Sequence, residues 1–328
     1  MKALIAALVT LPIASSVLGA DQFGSKDSKT TYPHKAIRYI VPWPPGGGSE
    51  TLARILAAPL SEALGQQVVI DNRPGAAGNI GAEVGARSQP DGYTIIGAYS
   101  GTHVINPSIY SKMPFKESDF TPIILAASVP ALVVVNPSLP VKTIKELIAL
   151  EKSRVGTLKY GSSGNGALNH LAGELFNMMA GTKLIHIPYK GGGPASIALI
   201  GGEIDLIFND PASLVQHVKS GKLRAIASTG SRRALAMPDL PTVAESGVAG
   251  YDVTSWNGIL APTGTPQAIV ARLNNELNKI VTAPEMRSRL IEFGYEPTGG
   301  TPEQFGTYIR SEIVKWAPVV KASGIKVD

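Results

Sequence analysis

One unit, a short apolar strand followed by a glycine-rich loop and an amphipathic helix, occurs twice in this chain. The first copy, residues 37–64, reads IRYIVPW, PPGGG and SETLARILAAPLSEAL, and the second, residues 158–181, reads LKY, GSSGNG and ALNHLAGELFNMMAG. The first N–H groups of a helix have no partner within the helix, and the helix dipole adds partial positive charge there. Such a helix end binds anions. The two copies therefore predict a small anion held between two lobes.

The similarity of the two halves extends beyond these units. Each is followed by a strand, a glycine-rich loop, a helix and a further strand, over residues 68–99 and 184–208. Strands that alternate with helices predict an α/β fold in which each lobe is a mainly parallel sheet flanked by helices. A chain of 328 residues can bury a core large enough for two lobes of this kind.

Two stretches between the halves predict crossings from one lobe to the other. The first is the break at residues 128–130, and the second is the extended apolar segment GYDVTSWNGILAP. We therefore expect lobe one to comprise residues 31–127 and 256–328, and lobe two to comprise residues 128–255, although the last three helices could dock on either lobe.

The N-terminal segment indicates export. Residues 1–20 have a lysine, an apolar stretch and small residues at the end, as in a secretory signal peptide cleaved after Gly19 or Ala20. A membrane anchor is the alternative, although the stretch is short and interrupted by proline. Residues 21–30 are polar, and we expect a disordered lead-in there. With no cysteine, the chain has no disulfide, thiol nucleophile or thiolate metal site.

Composition and motifs argue against several classes of function. The net charge of +5 comes from 30 Lys and Arg against 25 Asp and Glu, which is too mild an excess for a nucleic-acid-binding surface. Neither glycine-rich loop has the lysine of a P-loop or the spacing of a dinucleotide motif. We therefore expect no nucleic-acid partner and no cofactor.

Catalytic and metal-binding patterns are missing from the sequence as well. The chain contains no G-x-S-x-G, and its five histidines show no metal-ligand spacing. His103 and Asp210 follow strands and are the candidates that an enzyme would offer, without a partner pattern. Asp210 suits a hydrogen bond from a ligand hydroxyl or amine, and equally a helix N-cap before Pro211. We expect a protein that is not an enzyme, with no catalytic residue and no metal.

The glycine-rich loops are the best binding candidates. Gly46, Gly47 and Gly48 let the backbone approach a ligand closely, and Ser49 suits a helix cap that offers a hydroxyl. A simple tight turn is the alternative. The second loop adds three polar side chains, from Ser162, Ser163 and Asn165.

A set of motifs in order along the chain resembles the Bug family, the periplasmic solute receptors of tripartite tricarboxylate transporters. The set consists of PWPPGGGSETLAR, NRPGAAGNIG, PDGYTI, YGSSGNGALNHLAGELF, PYKGGGPASIALIGGEIDLIF, SGKLRAIA and SWNGILAPTGTP. The resemblance implies a two-lobed, type II-like periplasmic binding protein with two hinge crossings that closes on a small carboxylate. It also implies a periplasmic monomer that delivers its ligand to two integral membrane subunits. A sensory receptor that signals through a membrane partner, and a secreted enzyme on the same scaffold, are the alternatives.

The resemblance also implies a binding site made of both glycine-rich loops and several strand ends. Its expected residues are Gly46, Gly47, Gly48, Ser49, Ser100, Gly101, Thr102, Ser162, Ser163, Gly164, Asn165, Gly166, Tyr189 and Asp210. The chain departs from the family pattern at Glu50, where Asp is common, at Asn169, and in the order of Asn209 and Asp210. Dicarboxylates, citrate-like tricarboxylates, amino acids and aromatic carboxylates all remain open as ligands.

Overall fold

The computed structural model describes residues 32–45, 48–211 and 214–326. The predicted signal peptide and lead-in lie outside the described residues. Within these ranges no helix is long and apolar enough to cross a membrane.

Strands and helices alternate through most of the described chain. The strands are β1 Ile37–Val41, β2 Val68–Asn72, β3 Thr94–Tyr99, β4 Phe120–Pro130, β5 Leu132–Val135, β6 Lys159–Ser162, β7 Ile185–Pro188, β8 Leu206–Asn209, β9 Arg224–Ser228, β10 Thr254–Pro262 and β11 Glu296–Pro297. The helices are α1 Gly48–Leu64, α2 Asn79–Ala86, α3 Asn106–Ile109, α4 Ile144–Ser153, α5 Leu168–Ala180, α6 Gly192–Gly201, α7 Val215–Lys219, α8 Gln267–Thr282, α9 Pro284–Glu292 and α10 Pro302–Ser323.

The strands form two sheets, one in each lobe. The larger has the order β11-β4-β10-β3-β1-β2, and the smaller has the order β7-β6-β8-β5-β9. The chain passes from the larger to the smaller at Ala131, between β4 and β5, and it returns before β10. This arrangement confirms the two-lobed α/β fold class.

Both sheets are mixed, whereas the sequence predicted mainly parallel sheets. Parallel pairing joins β1 to β2 and β3, and β6 to β7 and β8. The pairs that involve β4, β10 and β11 are antiparallel, as are those of β5 with β8 and β9. The crossings explain the difference. In the described chain no helix lies between β4 and β5 or between β9 and β10, so the alternation of strands and helices that parallel sheets need is interrupted at both crossings.

Amphipathic helices cover the larger sheet. In α1, Leu52, Ile55, Leu56 and Leu60 are buried, which is the spacing of one helical face. The apolar face of α8 is buried in the same cluster, together with residues of β1, β3, β4 and β10. This packing fixes the start of α1 relative to the ends of the strands.

A second apolar cluster is shared by both lobes. Helix α10 packs against β4 and also against α5, which belongs to the lobe of the smaller sheet. Trp316 of α10 is fully buried in this cluster, where Leu171 and Phe176 of α5 also lie. The C-terminal helix therefore contacts both lobes.

Candidate functional site

A cleft between the two lobes contains the best candidate site. It consists of two adjoining compartments of about 130 Å³ and about 270 Å³, which share Leu168, Asp210 and Ser255. The smaller compartment is lined mainly by the second lobe, including Ser163, Asn169 and Asn209. The larger reaches the first lobe, where it is lined by Trp43, Gly48, Ser49, Tyr99, Ser100, Gly101, Asn257 and Tyr295.

The first turn of α1 lines the larger compartment. The helix begins at Gly48, so Ser49 lies within the first turn and is not the N-cap that the sequence suggested. The Tyr295 hydroxyl donates a hydrogen bond of 2.6 Å to the Gly48 carbonyl, and a Cβ at Gly48 would lie 3.2 Å from that hydroxyl oxygen. The absence of a side chain therefore allows this close approach. Gly46 and Gly47 lie outside the described residues.

A side-chain hydrogen bond holds the chain that enters this turn. Asn72, at the end of β2, donates through its Nδ2 to the Trp43 carbonyl at 2.9 Å. This hydrogen bond holds the chain that follows β1 next to the end of β2. The approach to the α1 N-terminus is therefore set by two parallel strands of the larger sheet.

The loop before α5 presents Ser163 to the cleft. The Ser163 N–H donates to Asn169 Oδ1 at 3.0 Å, and Asn169 Nδ2 donates to Ser163 Oγ at 2.9 Å. The Gly164 N–H donates to Ser162 Oγ at 3.1 Å. These two N–H groups, which the helix-end argument had assigned to the anion, are thus engaged within the loop. The Ser163 hydroxyl accepts from Asn169, and its own proton is available to a ligand.

The N-terminus of α5 also faces the cleft. Ala167, Leu168 and Asn169 line the smaller compartment, and no described side chain caps the helix at Ala167. The positive end of the helix dipole therefore borders the space between the lobes. Helices α1 and α5 thus bring two helix N-termini to one cleft, as the duplicated sequence unit predicted.

The end of β3 contributes Ser100 and Gly101 to the cleft lining but not Thr102. After Ser100 the chain enters a π-helical turn, Gly101–Ile105, which directs Thr102 into the interior. Thr102 is fully buried and donates to the Ala77 carbonyl at 3.0 Å. The sequence placed Thr102 in the binding site, whereas in the structure its side chain is buried and does not line the cleft.

We expect Thr102→Val to leave ligand affinity unchanged and to lower the free energy of unfolding by about 1 kcal/mol, the typical contribution of one hydrogen bond. The Ala77 carbonyl keeps a second donor, Asn106 Nδ2 at 3.0 Å, which limits the loss. Calorimetric titration and urea unfolding of the same variant measure the two quantities. A tenfold loss of affinity would place Thr102 in the site after all.

The other expected residues of the second loop and of the strand beside it are not among the residues that line the cleft. These are Ser162, Gly164, Asn165, Gly166 and Tyr189. Ser162 is fully buried, and its Oγ lies 2.6 Å from His186 Nε2. Tyr189 is half-buried against the apolar cluster of the second lobe. These residues shape the loop that presents Ser163.

Two stacked histidines support this loop. The rings of His170 and His186 lie parallel within 7°, with their centroids 3.6 Å apart. His186 contacts Ser162 at one end of the loop, and the Gly166 N–H donates to His170 Nδ1 at the other end. Burial lowers the pKa of each histidine to about 4, and for His170 the neighbouring His186 is a second cause of the shift. The pair is therefore neutral at pH 7.

The Ser162–His186 contact does not form a nucleophile with its base. Ser162 is fully buried and does not line the cleft, and its Oγ also accepts from the Gly164 N–H. His103, the other candidate base, is buried between Phe115 and Phe120, 3.8 Å from the Glu117 carboxylate, and lies outside the cleft lining. Among the described residues, no group of acidic, histidine or cysteine side chains is placed to hold a metal ion.

Asp210 follows β8 and lines both compartments. Its side chain is accessible to water, yet protein surrounds it within the cleft, and this desolvation raises the pKa of Asp210 to about 6. Burial and the charge of Asp210 together raise the pKa of Tyr295 to about 12. Asp210 therefore lies within electrostatic reach of the first lobe.

The sequence motifs do not identify several of the residues that line the cleft. Tyr295 comes from the turn between α9 and β11 and reaches Gly48, which is 247 residues earlier in the chain. Tyr99 and Asn257 lie in adjacent strands of the larger sheet, and the Tyr99 hydroxyl donates to the Ser49 carbonyl at 3.4 Å. Strand pairing and a long-range contact position them, so no local motif marks them.

Two lobes around a polar cleft with helix N-termini on both sides define the class of solute-binding proteins. Residues 52–325 match the tripartite tricarboxylate transporter family receptor. The chain therefore belongs to this family of periplasmic binding proteins. BugT of Bordetella pertussis is 36% identical over 302 residues, which are 92% of this chain and 93% of that protein.

Solved structures of relatives share the fold. Rpa4515 of R. palustris, solved with adipate, is 38% identical with a TM-score of 0.78, and the match covers 90% of this chain and 99% of that one. MatC from Rhodopseudomonas palustris, with bound malate, is 30% identical with a TM-score of 0.73, covering 88% and 100%. The match confirms the predicted family and the two-lobed fold.

Proposed function

We propose that this chain is a periplasmic receptor that captures a small carboxylate between its lobes and delivers it to two integral membrane subunits of a secondary transporter. The observation that carries the proposal is the convergence of the α1 and α5 N-termini on one cleft. Helix N-termini bind anions through their dipoles and their unpaired N–H groups. The adipate and malate bound by the two relatives are carboxylates, in agreement with this chemistry.

The cleft recognises a carboxylate without a salt bridge. Its described lining residues include serines, asparagines, tyrosines and a tryptophan, but no lysine, arginine or histidine. Hydroxyl groups, amides and helix ends, together with bound water, are the donors that this lining offers. The signal-peptide pattern of residues 1–20 supports the periplasmic location.

A thermal-shift screen against a panel of carboxylates tests the receptor function. A ligand present at one hundred times its dissociation constant adds about 2.7 kcal/mol of stability and raises the melting temperature. Co-purification of the tagged receptor with its membrane subunits, in the presence of the ligand found, tests delivery. If no carboxylate shifts the melting temperature, the proposed function fails.

We expect Ser163→Ala to weaken binding of the best ligand about tenfold or more. The substitution deletes a hydroxyl that lines the cleft, and a hydrogen bond to a charged group contributes about 1.5–3 kcal/mol. Ser311→Ala is the matched control, because Ser311 is exposed on α10 and donates to the Tyr308 carbonyl. Calorimetric titration that gives equal affinities for both variants would exclude Ser163 from the site.

A further inference from the structure

The two lobes also meet at a narrow crevice outside the cleft, next to the first crossing. The crevice has a volume of about 10 Å³, space for about one water molecule. One wall includes Ala234 and Leu235, and the other includes Gly294, Tyr295 and Glu296. Ala234 is buried in the apolar cluster of the second lobe, and Tyr295 is buried in that of the first. The crevice walls therefore belong to different lobes.

One hydrogen bond crosses the crevice. The Leu235 N–H donates to Glu296 Oε1 at 2.8 Å. Leu235 lies in a turn of the second lobe that is closed by the Met237 N–H, which donates to the Ala234 carbonyl at 2.9 Å. Glu296 belongs to β11, where it pairs with Ser128 in the larger sheet. Each partner is thus held by its own lobe, and the bond exists only while the lobes keep this arrangement.

The segment that carries Glu296 also reaches the cleft. Successive side chains of an extended segment point to opposite sides. Tyr295 donates to the Gly48 carbonyl at the start of α1, whereas the next residue, Glu296, accepts from Leu235. Two neighbouring residues therefore join the first turn of α1 to the second lobe.

We propose that Glu296 is a positioning residue for ligand capture, which holds the two lobes together through the Leu235 N–H and does not contact the ligand. Its part in capture rests on the proposed receptor function. Glu296 does not line either compartment of the cleft. The affinity of a two-lobed receptor includes the free energy of bringing its lobes together, so a bond made only in that arrangement strengthens binding from outside the site.

The distance between the lobes, measured without ligand, tests this inference. The chain has no cysteine, so Ile80→Cys on α2 and Ile197→Cys on α6, both exposed, can carry one spin label on each lobe. We expect Glu296→Ala to raise the ratio of separated to adjoining lobes about threefold to tenfold in pulsed electron paramagnetic resonance, the effect of one hydrogen bond.

Leu235→Pro removes the other partner and should have the same effect, because proline has no N–H. Leu235 is the second residue of its turn, a position that proline favours, so the turn is kept. The double variant should show no further effect, since both substitutions remove the same bond.

Three control variants should keep the native distances. Glu296→Gln retains an acceptor oxygen, and Leu235→Ala retains the N–H group. Glu292→Ala removes a carboxylate that is exposed on α9 and lines neither the crevice nor the cleft.

Three results would overturn the role of Glu296. They are native distances that do not include the separation in the structure, unchanged distances in Glu296→Ala and Leu235→Pro, and effects of the two substitutions that add in the double variant. Any of them leaves the receptor function standing, because no ligand is present in the measurement. Conversely, a carboxylate screen without a hit refutes the receptor function and leaves the measured contact between the lobes intact.

Discussion

Between pH 6.5 and about 4 the two stacked histidines should lower the free energy of unfolding by several kcal/mol, an effect that Asp210 partly offsets because its raised pKa acts in the opposite direction. Burial lowers the pKa of His170 and of His186 from 6.5 to about 4. Within this window the unfolded chain binds protons that the folded chain excludes, so stability rises with pH. Each unit of pKa difference corresponds to about 1.4 kcal/mol for each group.

Urea unfolding at a series of pH values measures this dependence. In His186→Gln one titrating group is removed, while an amide remains near Ser162, so the contribution of the histidine pair to the slope of stability against pH should fall by about half. His217→Gln is the control, since His217 lies on α7 outside this pair. The neighbouring Glu174 lies 3.9 Å from His170 Nε2 and accepts from the Tyr160 hydroxyl. An unchanged slope in His186→Gln would show that other groups cause the acid sensitivity.

Trp316→Ala should destabilise the protein by about 3–5 kcal/mol, the usual cost of removing a large buried aromatic side chain. Trp316 is fully buried in the apolar cluster that both lobes share. Its Nε1 donates to Glu312 Oε2 at 3.1 Å, and Glu312 also pairs with Lys315 at 2.8 Å. The substitution therefore opens a cavity and removes a donor from a buried carboxylate.

Two variants on the same helix control the Trp316 experiment. Trp316→Phe keeps most of the ring and should cost less than the alanine variant. Val314→Ala changes a side chain that is 74% exposed and should have an effect close to zero. The midpoint of urea unfolding gives the comparison, provided that its slope is unchanged. A loss below 1 kcal/mol in Trp316→Ala would mean that α10 is not part of the shared core.

The sequence was most informative about the local units. A strand, a glycine-rich loop and an amphipathic helix are recognised from residues close together in the chain, and both copies lie where the pattern placed them, at Ile37–Val41 with α1 and at Lys159–Ser162 with α5. The ordered motifs were enough to predict the family, which the comparison confirms. Two helix N-termini at one cleft follow from these units.

The sequence was less informative about features that depend on contacts between residues far apart in the chain. The alternation of strands and helices predicted mainly parallel sheets. Both sheets are mixed, because the strands around the crossings pair antiparallel to their neighbours. Thr102 turned inward in a π-helical turn that no pattern marked. Tyr295 reached the cleft through a contact with Gly48 that spans most of the chain. In each case the partner lies far away in sequence, so local spacing carries no information about it.

The lack of lysine and arginine among the described cleft-lining residues sets how the site responds to ionic strength. Attraction between separated charges is screened within about 8–10 Å at ordinary salt, whereas hydrogen bonds at contact distance are little affected. Hydrogen bonds from hydroxyls and amides are therefore little affected by salt, whereas the helix dipoles and the charge of Asp210 act over longer distances and are screened. Under the proposed receptor function, we therefore expect only part of the affinity to be lost when the salt concentration rises.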